Sequence, residues 1–275
     1  MSYKIVSDSA SDVMLFEHSR YESVPLIINT IEKEYVDNID LDVDQMVEDL
    51  RNYQGRSNTA CPSTGRYLQS FEGHDEIYVV TITSQLSGSY NSAMLAKDMY
   101  LEDHPNAKIH VFDSLSTGPE MRLLIEKLSE LKNNGKSFEE TVSIATEYLE
   151  STRLYFCLES IHNLAQNGRV SKLSDIATRL LNIRIIGKAK EGVLHVLNKT
   201  VGAKKSLRMM FEYVKEHFRG IKVRIAHVNN LKTAEALKEL IINHFKNIDI
   251  KIHKSTGLCS YYAEEGGVLV AFETK

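Results

Sequence analysis

The segments IYVVTIT (residues 77–83), SQLSG (84–88) and SYNSAMLAKDMYLED (89–103) follow one another without a break. The first segment is rich in apolar and β-branched residues, which is typical of a buried strand. In the third segment apolar side chains recur at Ala93, Leu95, Ala96, Met99 and Tyr100. This spacing predicts a helix with one buried face. A strand that enters a helix through a short loop predicts a βαβ unit, and hence a largely parallel sheet.

The same alternation of short strands and longer helices extends over the first half of the chain. Further strands are predicted at Lys4–Ser7, Val24–Asn29 and Lys108–Asp113, and a further helix at Pro119–Lys132. A polar hairpin is predicted between Asn29 and Asn38. We therefore expect an N-terminal α/β domain, residues 1–150, with a mostly parallel sheet flanked by helices.

The second half of the chain has a different pattern. A capping-box-like pair, Ser137 and Glu140, begins a helix that runs to Ser151 and leads into a predicted strand at Leu154–Leu158, which places a domain boundary near residue 150. Further strands are predicted at Asn182–Ala189, Gly192–Asn198, Val223–Val228, Ile248–His253 and Val268–Phe272. Helices are predicted at Lys204–His217 and Lys232–Phe245. We expect a C-terminal mixed α/β domain, residues 151–275, and a ligand cleft between the two domains.

Composition and charge exclude several classes of protein. The 275 residues are 43% hydrophobic and 25% charged, as in an ordinary globular chain. Lys and Arg number 33 against 37 Asp and Glu, a net charge of −4 that argues against a nucleic-acid partner. The three cysteines and ten histidines show no metal-ligand spacing, so no metal site is predicted. No apolar stretch approaches 18 residues, and we expect a cytoplasmic protein without a membrane span.

Two polar loops in the first quarter of the chain carry short hydroxyl and carboxylate side chains. Asp8 and Ser9 follow the first predicted strand, where such residues also make turns and caps. Residues 57–65 form a second polar loop, in which Ser63 is placed to cap the next helix. Thr59 could add a hydroxyl donor at that helix start, which favours an anion. Cys61 has no identifiable base beside it, so a small buried residue is the simpler interpretation.

Two further loops continue the pattern. Ser87, Gly88 and Ser89 lie between a predicted strand and a predicted helix, and the glycine permits close approach of a ligand to the backbone. Ser114 follows the strand Lys108–Asp113. Because the carboxyl ends of parallel strands meet at one edge of a sheet, these loops predict a small-anion pocket there. In the second half, Arg169 either directs a positive charge at a carboxylate or lies in a surface turn.

Taken together, these motifs resemble those of the DegV family. They are Ser7-Asp8-Ser9-x-x-Asp12, Thr59-x-x-Pro62-Ser63, residues 86–93, Asp113-Ser114 and Gly168-Arg169-Val170-Ser171-Lys172. The resemblance covers essentially the whole chain. It implies a protein that binds one long-chain fatty acid, such as palmitate or oleate, between two α/β domains. It also implies a binding subunit of a bacterial fatty-acid kinase, with no cofactor and no chemistry of its own.

The resemblance also implies roles for particular residues. Thr59 and Ser87 would hydrogen-bond the carboxylate, Gly88 and Ser89 would shape the same turn, and Arg169 would add positive charge. The histidine that contacts the carboxylate in the family is replaced here by Ala263, followed by Glu264 and Glu265. Its loss could weaken carboxylate binding, change the accepted head group, or shift reliance to the remaining polar groups. Segments Leu158–Leu164 and Ile176–Ile186 are predicted to line the tunnel.

Two other functions stay open on the sequence. A regulatory module for another small carboxylate or a phosphate is compatible with the missing histidine and the two glutamates. A serine-dependent hydrolase or phosphotransferase would use Ser87 or Ser114 as nucleophile. That enzyme needs a general base within hydrogen-bond reach, such as His227 or His253.

Overall fold

A computed structural model of the chain describes residues 2–16, 20–170 and 182–275. Within these ranges the strands are β1 (Tyr3–Asp8), β2 (Tyr21–Val24), β3 (Ile27–Asn29), β4 (Glu34–Val36), β5 (Asn58–Ala60), β6 (Glu76–Thr81), β7 (Lys108–Asp113), β8 (Thr152–Leu158), β9 (Ile183–Lys190), β10 (Val193–Val201), β11 (Lys222–His227), β12 (Asp249–Lys254) and β13 (Val268–Glu273). The helices of the same ranges are α1 (Val43–Asn52), α2 (Thr64–Phe71), α3 (Ser89–Asp103), α4 (Pro119–Asn133), α5 (Phe138–Glu150), α6 (His162–Gln166), α7 (Ala203–His217), α8 (Leu231–His244) and α9 (Gly257–Ala263).

The first sheet is parallel and is buried on both faces. Its strand order is β2-β1-β6-β7. Successive side chains of a strand point to opposite faces, so Val79 packs against α2 and α3 whereas Tyr78 and Val80 pack against α4 and α5. The continuous apolar run in β6 follows from this double burial. The carboxyl ends of the four strands therefore meet at one edge.

The second sheet is mixed and has the order β10-β9-β8-β13-β11-β12. Only β11 and β12 run parallel among its paired strands in the described residues. Tyr155 and Cys157 of β8 pack toward the core formed with α7 and α8. Leu154, Phe156 and Leu158 point to the opposite face, into a core shared with α1, α4 and α9. The two-residue period of β8 thus decides which side chains face the space between the sheets.

A third, small sheet corrects one sequence prediction. Val24–Asn29 is not a single strand: β2 ends at Val24, and β3 starts at Ile27 in another sheet of order β4-β3-β5. Pro25 lies between them, and proline has no N–H with which to continue a ladder. The predicted hairpin is confirmed, since β3 and β4 pair antiparallel. The polar loop predicted at residues 57–65 contains β5, which pairs with β3.

The predicted fold class, a mostly parallel sheet flanked by helices followed by a mixed sheet, is confirmed. Among the described residues, the parallel sheet ends at Asp113 and the mixed sheet begins at Thr152. Helix α4 packs against β11 and β13 of the mixed sheet. Arg224 on β11 forms a buried ion pair with Glu126 on α4, with its Nη2 2.6 Å from Oε2. This contact and the apolar core between the sheets hold the two halves together.

Candidate functional site

The loops after β1 and β6 are tied together by a buried carboxylate. Asp8 Oδ2 accepts hydrogen bonds from the Ile82 backbone N–H at 2.9 Å and from Ser89 Oγ at 2.6 Å. Ser89 Oγ also contacts the Tyr67 hydroxyl at 2.7 Å. Burial raises the pKa of Asp8 to about 7, although these hydrogen bonds act in the other direction. Asp8 and Ser89 therefore fix the position of residues 84–88.

The loop after β7 joins the same arrangement. Asp113 Oδ1 accepts a hydrogen bond from the Ser84 N–H at 3.1 Å, and the Thr83 N–H donates to the Ser116 carbonyl at 3.0 Å. Ser114 is buried within its own loop, where its hydroxyl donates to the Ser116 carbonyl at 3.0 Å. The loops after three adjacent parallel strands thus meet at the carboxyl edge of the sheet.

A cavity of about 320 Å³ lies between this edge and the inner face of the mixed sheet. Its volume is at the lower end of the range of about 300–1,000 Å³ that is usual for small-molecule sites. The walls are mostly apolar, with aliphatic side chains from both halves of the chain. The apolar lining residues are Leu26, Ala60, Ile82, Leu86, Leu154, Phe156, Leu158, Leu164, Leu194, Leu258, Ala263 and Leu269.

Several polar residues also line the cavity. Thr59 on β5 and Tyr262 on α9 have their hydroxyl oxygens 2.7 Å apart. Ser87 Oγ accepts a hydrogen bond from the Ser89 N–H at 3.2 Å, which leaves its own O–H for another acceptor. Gly88 completes this part of the wall and is exposed to solvent. These four lining residues therefore place hydroxyl and backbone groups in the wall, next to the exposed Gly88.

Arg169 supplies the one charged side chain of the cavity lining in the described residues. Its Nε donates to the Leu86 carbonyl at 3.2 Å, and its Nη1 donates to the Asn167 carbonyl. Burial raises the pKa of Tyr262, and the charge of Arg169 acts in the opposite direction. The predicted residues Thr59, Ser87, Gly88 and Arg169 are thus brought together.

Ser9 and Ser63 lie outside the cavity lining, as do Asp8, Ser89 and Ser114. Ser9 Oγ accepts from the Leu26 N–H at 3.0 Å and holds the chain that enters β3. Ser63 is exposed and caps α2, accepting from the Arg66 N–H at 3.4 Å. These five side chains have partners within the protein, so they act on the cavity by positioning its loops.

Sequence reasoning missed Tyr262, Thr117 and Cys259, which all line the cavity. Cys61 also lines it, half-buried, although it was expected to be a small buried residue. Tyr262 lies on a seven-residue helix, too short for a periodic apolar pattern. The paired tyrosines Tyr261 and Tyr262 directly before Ala263 were the available signal.

The glutamates near Ala263 do not line this cavity. Ala263 contributes a methyl group to its wall, whereas Glu264 accepts a hydrogen bond from the Asn163 N–H at 3.1 Å. Glu265 forms an ion pair with Arg51 at 2.6 Å. Both glutamates line a second cavity of about 390 Å³, which has no lining residue in common with the first. Their charges therefore have partners away from the polar part of the first cavity.

The histidines considered as general bases have other surroundings. The Nδ1 of His227 accepts from the Asn230 N–H at 3.3 Å. The Nε2 of His253 is buried with no hydrogen-bond partner in the described part of the chain. Burial lowers the pKa of both imidazoles. Within residues 2–16, 20–170 and 182–275, neither side chain is hydrogen-bonded to Ser87 or Ser114, so this geometry does not favour a serine nucleophile.

The two predicted tunnel segments, Leu158–Leu164 and Ile176–Ile186, can be compared with the structure only in part. Leu158 and Leu164 line the cavity. Residues 176–181 lie outside the described residues, as do Ser171 and Lys172 of the arginine motif. Across the described ranges, no cluster of three or more His, Cys, Asp or Glu is arranged to hold a metal ion. No helix found there has both the length and the apolar character needed to cross a bilayer.

Comparison with known proteins gives matches over the full length of the chain. The family model described as "Uncharacterised protein, DegV family" matches residues 2–275. A DegV domain-containing protein of Streptococcus pneumoniae is 47% identical over 279 residues, which is 99% of each chain. The solved structure of the Streptococcus pneumoniae Fatty Acid Kinase (Fak) B3 protein, loaded with linoleic acid, is 46% identical. Its TM-score is 0.97, and the match covers 100% of both chains. A DegV family protein from Eubacterium eligens, loaded with heptadecanoic acid, is 43% identical with a TM-score of 0.96 over 100% of both chains.

Proposed function

Since the chain belongs to the DegV family, we propose that it binds one long-chain fatty acid in the cavity between its two sheets and presents the carboxylate to a partner fatty-acid kinase. The observation that carries this proposal is the composition of the cavity wall. Twelve apolar side chains line the space. Arg169 joins the polar residues of the wall, since it donates to the Leu86 carbonyl next to Ser87 and its charge acts on Tyr262, the partner of Thr59. An amphiphile with an alkyl tail and an anionic head matches that distribution.

The tail is the main source of affinity in this proposal. Burial of a methylene group is worth about 0.8 kcal/mol, so a tail of about 15 methylenes gains about 12 kcal/mol before the loss of ligand and side-chain freedom. A carboxylate that leaves water needs charge-assisted hydrogen bonds to offset its desolvation. Thr59, Ser87 and Arg169 therefore determine the orientation of the acid more than the strength of binding.

Presentation to a kinase follows from the location of the polar groups. Gly88 is exposed and Ser87 is half-buried, so a head group held beside them lies near the protein surface. The partner would transfer the γ-phosphoryl group of ATP to a carboxylate oxygen and release ADP, which leaves an acyl phosphate. This chain supplies no group for that chemistry and takes no cofactor in the proposal. A kinase partner and three unpaired cysteines both favour the cytoplasm.

Two solved relatives hold linoleic and heptadecanoic acid. These ligands support an acid of similar length here, such as palmitate or oleate. The test is mass spectrometry of an organic extract of the protein purified from a bacterial host. We expect about one equivalent of a long-chain acid per chain, and its loss in Leu194→Trp, which adds a bulky ring to the cavity wall. An extract without stoichiometric fatty acid contradicts the proposal.

Thermal unfolding distinguishes this function from binding of another small carboxylate or a phosphate. A ligand present at 100 times its dissociation constant stabilises the folded protein by about 2.7 kcal/mol. Palmitate and oleate should raise the melting temperature, whereas acetate and inorganic phosphate at equal concentration should not. The reverse order of effects favours the regulatory-module alternative.

A further inference from the structure

Helix α9 is fixed to the first half of the chain, although the strand that follows it belongs to the mixed sheet. Asp37 accepts hydrogen bonds from the Gly257 and Leu258 N–H groups at 2.7 and 2.8 Å. Asp12 accepts from the Thr256 N–H at 2.9 Å. A carboxyl group that accepts hydrogen bonds from the first N–H groups of a helix is a favourable cap, and here two such groups set the position of a seven-residue helix. The side chain of Tyr262, on the last turn, is placed by these contacts.

The Tyr262 hydroxyl lies 2.7 Å from Thr59 Oγ1, in the part of the wall that also contains Arg169. Burial raises the pKa of the phenol, so it keeps its proton at neutral pH. A phenol is a stronger hydrogen-bond donor than an aliphatic alcohol. When Tyr262 donates to Thr59, the single proton of Thr59 is left to point toward the cavity.

We propose that Tyr262 is a positioning residue for the head group: it donates its proton to Thr59 and thereby fixes the Thr59 hydroxyl as a donor toward an ionised carboxylate. The inference rests on the proposed function. Thr59 without this partner can rotate and either donate or accept. With it, the cavity presents donors and the Arg169 charge to the ligand, which favours an acceptor-only anion over a neutral head group. Ala263, the next residue, offers only a methyl group at this wall.

The test compares Tyr262→Phe, Thr59→Val and the double variant, with palmitate and hexadecanol as ligands. One neutral hydrogen bond corresponds to a change in Kd of about 3- to 10-fold. We expect Tyr262→Phe to raise the Kd of palmitate by about this factor and to leave the Kd of hexadecanol within about twofold of its value for the unmodified protein. Adding Tyr262→Phe to Thr59→Val should change palmitate affinity by less than about twofold, because the hydroxyl of Thr59 through which Tyr262 acts is already absent.

Tyr261→Phe is the matched control, because the Tyr261 hydroxyl contacts Ser57 at 2.8 Å and Asn167 at 2.9 Å outside the cavity lining. The second readout is the NMR titration of palmitate labelled with ¹³C at the carboxyl group. The pKa of the bound acid should rise in Tyr262→Phe and not in Tyr261→Phe. The inference is overturned if Tyr262→Phe weakens the binding of palmitate and of hexadecanol equally. It is also overturned if Tyr262→Phe lowers palmitate affinity as much in the Thr59→Val background as in the unmodified protein. If the unmodified protein binds hexadecanol as tightly as palmitate, the inference is wrong and the proposed function still stands. If it binds neither ligand, the inference and the proposed function are both wrong.

Discussion

Replacing Thr59 by valine removes one hydroxyl from the polar part of the cavity and leaves the side-chain volume nearly unchanged. Thr59 lies on β5, where its backbone pairs with Ile28 of β3, and this pairing does not depend on the side chain. Valine is also favoured in strands. The variant is therefore expected to fold and to differ from the parent protein mainly in how it holds a carboxylate.

The expected loss follows from the charge of the acceptor. A hydrogen bond to a charged group is worth about 1.5–3 kcal/mol, which corresponds to a Kd about 10- to 150-fold higher. A buried methylene is worth about 0.8 kcal/mol. Thr59→Val should therefore bind palmitate about as weakly as the unmodified protein binds an acid that is two to four methylenes shorter.

Displacement of a fluorescent fatty acid from delipidated protein measures the Kd of each acid for the unmodified protein and for the variant. The unmodified protein is titrated with saturated acids of 12, 14 and 16 carbons, and Thr59→Val with palmitate. Ser63→Ala is the control, because Ser63 caps α2 outside the cavity lining and its loss should affect stability but not affinity. Equal Kd values for Thr59→Val and the unmodified protein would refute the assignment of Thr59 to the head group.

Three further changes test the electrostatics and the fold. Arg169→Met should weaken palmitate about tenfold in a titration at low salt and remove the salt dependence of its Kd; an unchanged Kd counts against a role of this charge. Burial raises the pKa of Asp37 to about 7, so the folded state keeps a proton that the unfolded chain releases above pH 3.8. The contribution of protonated Asp37 to the free energy of unfolding is therefore fully present at low pH and is lost as the pH rises toward about 7. In urea unfolding, Asp37→Asn should change the slope of the free energy of unfolding against pH in this window by up to about 1.4 kcal/mol per pH unit. Identical slopes for the variant and the unmodified protein contradict a raised pKa of Asp37. Ser137→Ala removes one half of the capping box with Glu140 and should destabilise the protein by about 1 kcal/mol in the same assay; an unchanged unfolding midpoint contradicts that role.

Local pattern was sufficient to predict most of the fold. The alternation of buried strands with one-faced helices predicted both sheets, and the turn at Glu191 and Gly192 has the positive φ values expected of a tight hairpin. Helices α1, α6 and α9 were not predicted. Val24–Asn29 was predicted wrongly, because an apolar run was taken as one strand. Pro25 within it cannot donate to a ladder, so the chain leaves one sheet and enters another.

The candidate site could be predicted only in part, because a hydroxyl-rich loop serves capping and binding equally well. Ser87 and Ser63 both precede helices and look alike in sequence. They differ because Asp8, far away in the chain, anchors the loop of Ser87 beside the cavity. Tyr262 depends on a still more distant contact, since Asp37 binds the start of α9 across 220 residues. Local periodicity contains no record of such contacts.

The most direct test of fatty-acid binding between the two sheets is a crystal structure of the delipidated protein combined with palmitate alone. We expect an extended acyl chain between Leu158, Leu194 and Leu269, with a carboxylate oxygen within hydrogen-bond distance of both Thr59 Oγ1 and Ser87 Oγ. An acid bound in the second cavity beside Glu264, or one in the first cavity with its carboxylate turned away from these two hydroxyls, would contradict it.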